Sequence, residues 1–293
     1  MTARQLLFND NGALRALWRL LIFAAATIAS FVVAESIVGP IIAWLFRLIG
    51  VRGVSSETWV ETAAVFGGTV VALRWVDKRP WRYVWLGRDA AHPPFWLFGF
   101  LIGILAIGVP ILFLIAGDWL RQAPGGGGSW AAAALRTTLF LVPAALVEEL
   151  TTRGYLLSVL KDAWGWPWAI GATSLAFGLL HLANEGANVE SMTLVTLAGV
   201  FLASVLWATR SLYAAWMAHL GWNWMMAVVF HTAVSGYPLE SPHYRYVDAG
   251  PDWATGGEWG PEGGVPAGLG MGAGVGIVYL FARRGRRSRR EET

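Results

Sequence analysis

From residue 94 to residue 117 the chain carries no charged side chain, and comparable apolar runs recur along its length. A helix rises about 1.5 Å per residue, so about 20 mostly apolar residues cross the hydrocarbon core of a bilayer. Inside that core each backbone N–H and C=O must be paired within the protein, which leaves only helices or closed barrels. Runs of this length are helices. They fall at 14–37, 57–76, 94–117, 130–160, 167–184, 190–208, 211–234 and 264–282. The first can continue past Gly39-Pro40 into 41–50, and the fourth is longer than a membrane is thick, so it should tilt or protrude. The expectation is an all-α, polytopic integral membrane protein of about eight transmembrane helices.

Composition agrees. Hydrophobic residues make up 56% of the 293 and charged residues 14%, against about 25% charged in a typical soluble domain. The net charge of +3 does not indicate a nucleic-acid partner, because the basic residues cluster beside apolar runs. There they set topology and meet lipid headgroups. No cysteine is present, so disulfides, cysteine-ligated metals and a thiol nucleophile are excluded. Of the 18 Trp, several lie near span ends (Trp18, Trp44, Trp81, Trp85, Trp96, Trp130, Trp166, Trp168, Trp207), as in an aromatic belt at the membrane interfaces.

Orientation follows from Arg and Lys. The loop after the second run holds Arg74, Lys78, Arg79, Arg82 and Arg88, and the tail holds Arg283, Arg284, Arg286, Arg287, Arg289 and Arg290. The connection 235–263 has Arg245 against Glu240, Asp248, Asp252, Glu258 and Glu262. Cytoplasmic loops carry the excess of Lys and Arg, so both termini are expected in the cytoplasm of a multi-pass cell-membrane protein. Arg4, Arg15 and Arg19 ahead of an apolar run, with Val32-Val33-Ala34 as a weak cleavage site, raise a secretory signal; an uncleaved first span is preferred. Gly125–Gly128 reads as a flexible linker. The segment 236–263 is long and rich in Gly, Pro and aromatics, and connections of that length are often lids or binding loops. The chain therefore divides into N-terminal spans with a basic loop (1–129), a central core (130–235), and an outer loop, last span and basic tail (236–293).

Polar groups interrupt three of the apolar runs. Glu148-Glu149 is followed by Arg153; Phe177-x-x-x-His181 and His219-x-x-x-Asn223 lie further on. An ionisable group in a span is costly, and it normally marks a function or a partner. Glu149 and Arg153 are four apart, on one helix face, and can form an ion pair. Glu148 is rotated by about 100° and shares its face with Thr152, free to meet a polar cavity as a base. Small residues around Ser174 (Gly171, Ala172, Ala176, Gly178) permit close helix packing. Counted at the helical rise, Glu148, His181, His219 and Asn223 lie about 12–21 Å from the cytoplasmic ends of their runs. Four groups at similar depth suggest one intramembrane polar cavity. A Glu and a His can hold and deprotonate a water, and a His and an Asn can donate to a developing oxyanion. Alternatively Glu148, His181 and His219 could ligate a divalent metal such as zinc with an open fourth position. No H-E-x-x-H helix is present, and the two mechanisms stay open.

In this order and on successive runs, Glu148-Glu149-x-x-x-Arg153, Phe177-x-x-x-His181 and His219-x-x-x-Asn223 resemble the CPBP family of intramembrane endopeptidases. That family takes in the eukaryotic type II CAAX prenyl endopeptidase and bacterial proteins linked to bacteriocin processing and self-immunity. The resemblance covers roughly residues 130–235; each motif alone is weak, and the three together are specific. It implies that Glu148 and His181 activate water, that His219 and Asn223 form the oxyanion site, and that Glu149 and Arg153 hold the helix. Glutamate-dependent and metal-dependent descriptions of the family both exist, so the cofactor is either none or a divalent metal. The expected partners are membrane lipid and a peptide or protein substrate at the membrane, with no oligomeric state specified. Two rivals stand beside this reading: a non-proteolytic scaffold or immunity protein on the same fold, and a transporter with a carboxylate–imidazole proton relay, although no repeated half is visible.

Overall fold

The computed structural model describes residues 2–9, 12 and 14–291, with the side chains of 284–291 outside the description. The tail arginines from Arg284 onward therefore enter only through the sequence. Each of the eight apolar runs forms a helical rod. In chain order these are α1 (Ala16–Leu48), α2 (Glu57–Val71, ending in a π-helical turn Ala72–Val76), α3 (Pro93–Ala116) and α4 (Trp130–Glu149). The α4 rod passes through a π-helical stretch, Leu150–Leu156, into Leu157–Trp164. Then come α5 (Trp166–Leu180), α6 (Val189–Thr209), α7 (Leu212–Trp224, with a π-helical end Met225–Phe230) and α8 (Val265–Glu291).

Among the described residues five helices are long and apolar enough to cross a membrane: Ala16–Leu48, Pro93–Ala116, Trp130–Trp164, Val189–Thr209 and Val265–Arg283. Trp166–Leu180 is apolar but shorter. The expected continuation of α1 past Gly39-Pro40 occurs, as the helix runs on to Leu48. The exterior is that of a protein surrounded by lipid. Ile28, Phe113 and Leu269 are each about 70% exposed (69, 69 and 71%), whereas contiguous apolar patches on a soluble monomer are small. Trp44, Trp130 and Trp168 are exposed as well.

Backbone approach replaces the hydrophobic effect as the packing principle in such a bundle, so small residues sit at the crossings. A Cβ at Gly99 or Gly103 of α3 would run into the Ala214 or Ala218 carbonyl of α7, and one at Gly221 of α7 would meet the Phe100 carbonyl. The α5–α6 pair does the same through Gly178 against Thr196 and Gly199 against Ser174. Gly270 of α8 lies against the Ala106 carbonyl of α3. These crossings fix α7 between α3, α4 and α6, and α7 carries two of the candidate residues.

At one end of the bundle the all-α plan has an exception. A two-stranded antiparallel ribbon pairs β1 (Leu120–Pro124) with β2 (Tyr244–Asp248), in register from Leu120↔Asp248 to Pro124↔Tyr244. The expectation of a flexible linker at Gly125–Gly128 fails at its start. Gly125 N–H donates to His243 O and Gly126 N–H to Ser241 O, and Ser241 O leaves no room for a side chain at Gly125. The opposite, basic end is held by Arg19, whose guanidinium donates to Asp77 and to the Tyr83 hydroxyl at 2.6 Å each. Tyr155 donates to the same Asp77 oxygen at 2.8 Å, tying α1 to the π-helical part of α4.

Candidate active site

Glu148 and Glu149 close the regular part of α4, immediately before the π-helical stretch. Gly154, with ψ −111°, kinks that stretch, and such insertions are frequent at functional sites. The two carboxylates face different ways. Glu149 is fully buried, and its Oε1 accepts from Arg153 Nη1 at 3.0 Å, with both side chains at 0% exposure. Arg153 also donates to Thr152 Oγ1 (2.8 Å) and to Gly199 O of α6 (3.1 Å), and its guanidinium lies 4.2 Å from the Phe177 ring centroid. The cation thus meets groups of α4, α5 and α6, so the pair joins three helices.

The ion pair expected of Glu149 and Arg153 is present, but Glu149 has a second partner that the sequence did not indicate. His219 Nδ1 lies 3.0 Å from Glu149 Oε1. A carboxylate oxygen can only accept here, so Nδ1 carries the proton. On α5, His181 Nδ1 lies 2.8 Å from Phe177 O, and a carbonyl likewise only accepts. Each ring is therefore locked in one orientation by its Nδ1–H, which leaves each Nε2 to face the site.

Both Nε2 atoms point at the same oxygen. His181 Nε2 is 3.7 Å and His219 Nε2 3.8 Å from Glu148 Oε2. These separations are too long for direct hydrogen bonds and short enough for one water to bridge. Glu148 Oε2 is itself buried without a direct hydrogen-bond partner. The Glu148 side chain as a whole is 32% exposed, against 11% and 8% for the two histidines. Glu148 is thus the most exposed of the three.

Asn223, one turn beyond His219 on α7, is buried and borders the same small cavity as His181, His219 and Phe177. That cavity has a volume of about 20 Å³, room for about one water. His181 sits just past the last residue of α5 rather than within a continuing helix, where the chain turns back toward α6. Among the described residues, no group of three His, Cys, Asp or Glu side chains is placed to hold a metal ion. The three residues expected as alternative metal ligands, Glu148, His181 and His219, are the ones whose Oε2 and Nε2 atoms lie 3.7 and 3.8 Å apart.

The other histidines and the outer asparagines fall as follows. His231 is buried at the end of α7, with Nδ1 3.1 Å from Glu240 O. His92 precedes α3, and His243 lies in the connection before β2. Asn188 caps α6 by accepting from Ser191 N–H, as expected, while Asn184 donates to Ser235 O of the outer segment.

A carboxylate and two oriented imidazoles thus converge in the interior of a helical membrane protein. The particular relationship is given by sequence: residues 130–225, about a third of the chain, match the family model described as Type II CAAX prenyl endopeptidase Rce1-like. The match ends two residues past Asn223, so it takes in all six candidate residues. No curated protein and no solved structure matches the chain.

Proposed function

We propose that the protein is an intramembrane endopeptidase that cleaves a membrane-associated peptide or protein with a Glu/His-activated water. The observation that carries this reading is the convergence of the two Nε2 atoms on Glu148 Oε2 at 3.7 and 3.8 Å. A water between them gives one hydrogen to Glu148 and the other to the His181 Nε2 lone pair. As its oxygen attacks the scissile carbonyl, its proton passes to Glu148, which later delivers it to the leaving amine. The negative charge that develops on the carbonyl oxygen is met by Asn223 Nδ2–H and by His219. Because His219 Nδ1–H is already given to Glu149, its Nε2 donates only in the imidazolium form. Glu149 then serves as its counter-ion, and Arg153 balances Glu149. In this reading about eight spans enclose the site, lipid surrounds the bundle, and both termini face the cytoplasm in line with the Arg-rich loop and tail.

The test is Glu148→Gln in the full chain reconstituted in liposomes, with a pool of membrane-anchored quenched-fluorescence peptides as the probe. General-base loss costs about 10²–10⁴ in rate. Cleavage by the wild type that falls by at least the lower figure in the variant supports the reading. Equal cleavage by both sinks it, and a biological effect that survives Glu148→Gln would favour the scaffold alternative.

A further inference from the structure

The small cavity beside the two imidazoles has a wall that the family segment 130–225 does not supply. Alongside His181, His219, Trp222 and Asn223 it is lined by Ser235 and Glu262, from the connection between α7 and α8. Glu262 is 7% exposed and its carboxylate is saturated. Trp222 Nε1 donates to Oε2 at 2.7 Å, and Ser235 N–H and Oγ–H donate to Oε1 at 2.6 and 2.7 Å. Trp222 stands next to Asn223 and one turn from His219, so this carboxylate fixes the helix face that carries both. With Glu149 it is one of two buried carboxylates of the region, and its three donors are held in place by it.

The segment around it is built to stay put. Trp259 is fully buried with its ring 6.4 Å from that of His181. Gly256, Gly257 and Gly260 have φ of +78°, +55° and +96°, a region that glycine enters without strain. A side chain at Gly256 would strike Gly260 O, one at Gly260 would strike Ala233 O, and one at Gly264 would strike Ala254 O. The turn Gly236 packs on Glu185 O, beside the Asn184–Ser235 bond. A gate needs few buried contacts and a low opening cost; this segment has the reverse.

We propose that Glu262 is a positioning residue of the active site, and that residues 232–264 form a fixed back wall, with substrate approaching from the Glu148 side. This rests on the endopeptidase reading given above.

The absence of native cysteine allows a clean lock. A Cβ built at Gly186 lies 3.3 Å from Glu258 Cβ, within a few tenths of an ångström of disulfide spacing. Full-length Gly186→Cys/Glu258→Cys protein is compared oxidised and reduced on the same quenched peptide pool, with each single variant as control for strain at Gly186. A fixed wall gives equal turnover in the two redox states. Loss on oxidation that reductant restores makes the segment a gate and overturns the proposal. For Glu262→Gln, kcat should fall about tenfold with KM unchanged, and Trp222→Phe/Glu262→Gln should be no slower than Glu262→Gln alone. Wild-type kcat in folded Glu262→Gln removes the positioning role; if that variant does not fold, Trp222→Phe, which spares the Ser235 bonds, carries the same test. Amide hydrogen exchange of 256–264 separates the two readings. Slow exchange in a wild-type protein that cleaves nothing would sink the endopeptidase and leave the rigid wall, whereas exchange as fast as that of the chain ends would sink the wall whatever the activity.

Discussion

Breaking the Glu149–Arg153 pair from one side should cost more than removing it whole. Both side chains are fully buried and 3.0 Å apart. Deleting one partner of a buried pair typically destabilises by about 3–5 kcal/mol, because the other charge is left uncompensated, whereas apolar replacement of both is often near neutral. The surroundings make the two single losses unequal. In Glu149→Gln the guanidinium keeps only neutral partners: Thr152 Oγ1, Gly199 O and the Phe177 face. In Arg153→Met the Glu149 carboxylate keeps His219 Nδ1–H and can recruit that ring as a cation. The expected order of destabilisation is therefore Glu149→Gln first, Arg153→Met second and Glu149→Met/Arg153→Met least. With about 2–4 °C per kcal/mol for a chain of this size, Glu149→Gln should lower the melting temperature by roughly 10 °C. Intrinsic fluorescence of the 18 Trp during a thermal ramp in detergent reads it directly. Should the double variant melt at the sum of the two single losses, the coupling is absent and the pair is not what holds α4, α5 and α6 together.

Other outcomes follow from the same geometry. His181→Ala and Glu148→Gln should each remove at least about 10² of the cleavage rate, and combined they should lose little more than the worse of the two, since both act on one water. Gly103→Ala places a methyl against the Ala218 carbonyl, one residue before His219; overpacking of this kind costs about 1–3 kcal/mol, so both melting temperature and turnover should fall. At the outer end, the Arg136 fork donates to Glu240 at 2.7 Å (Nε) and 2.5 Å (Nη2) and holds that carboxyl below the ordinary glutamate range. A depressed carboxyl stabilises the fold above its unfolded pKa and ceases to as pH falls through its folded one. Arg136→Ala should therefore lower the melting temperature slightly at pH 7 and not at all well below pH 4, and high salt should shrink the difference.

Helices were legible because one physical rule governs them: apolar runs near 20 residues have few ways to satisfy their backbones. The three convergent groups, Glu148, His181 and His219, were legible because charge and imidazole in such runs stand out. Glu149 was half legible. Its i,i+4 partner Arg153 follows from helical spacing, but the bond to His219, seventy residues later, depends on where α7 lies against α4, which local spacing does not give. The ribbon of Leu120–Pro124 with Tyr244–Asp248 was invisible for a related reason. Neither strand alternates clearly, and each forms only because the other is brought to the same end of the bundle.

The outer segment shows most clearly where local reading stops. Its length and its glycines suggest a lid or a binding loop. In the folded chain the same glycines are forced by close backbone contacts, at Ala233 O for Gly260 and Ala254 O for Gly264. Their missing side chains let Trp259 and Glu262 reach inward to the rings and helix that hold the candidate water. The two uses of glycine, slack and close packing, leave the same letters in a sequence and opposite consequences for catalysis. A lid would let the site fill from the outer side and close over substrate. On the proposed mechanism a wall would leave Glu148, the most exposed of the converging groups at 32%, as the first one an approaching peptide meets and as the residue that takes the proton.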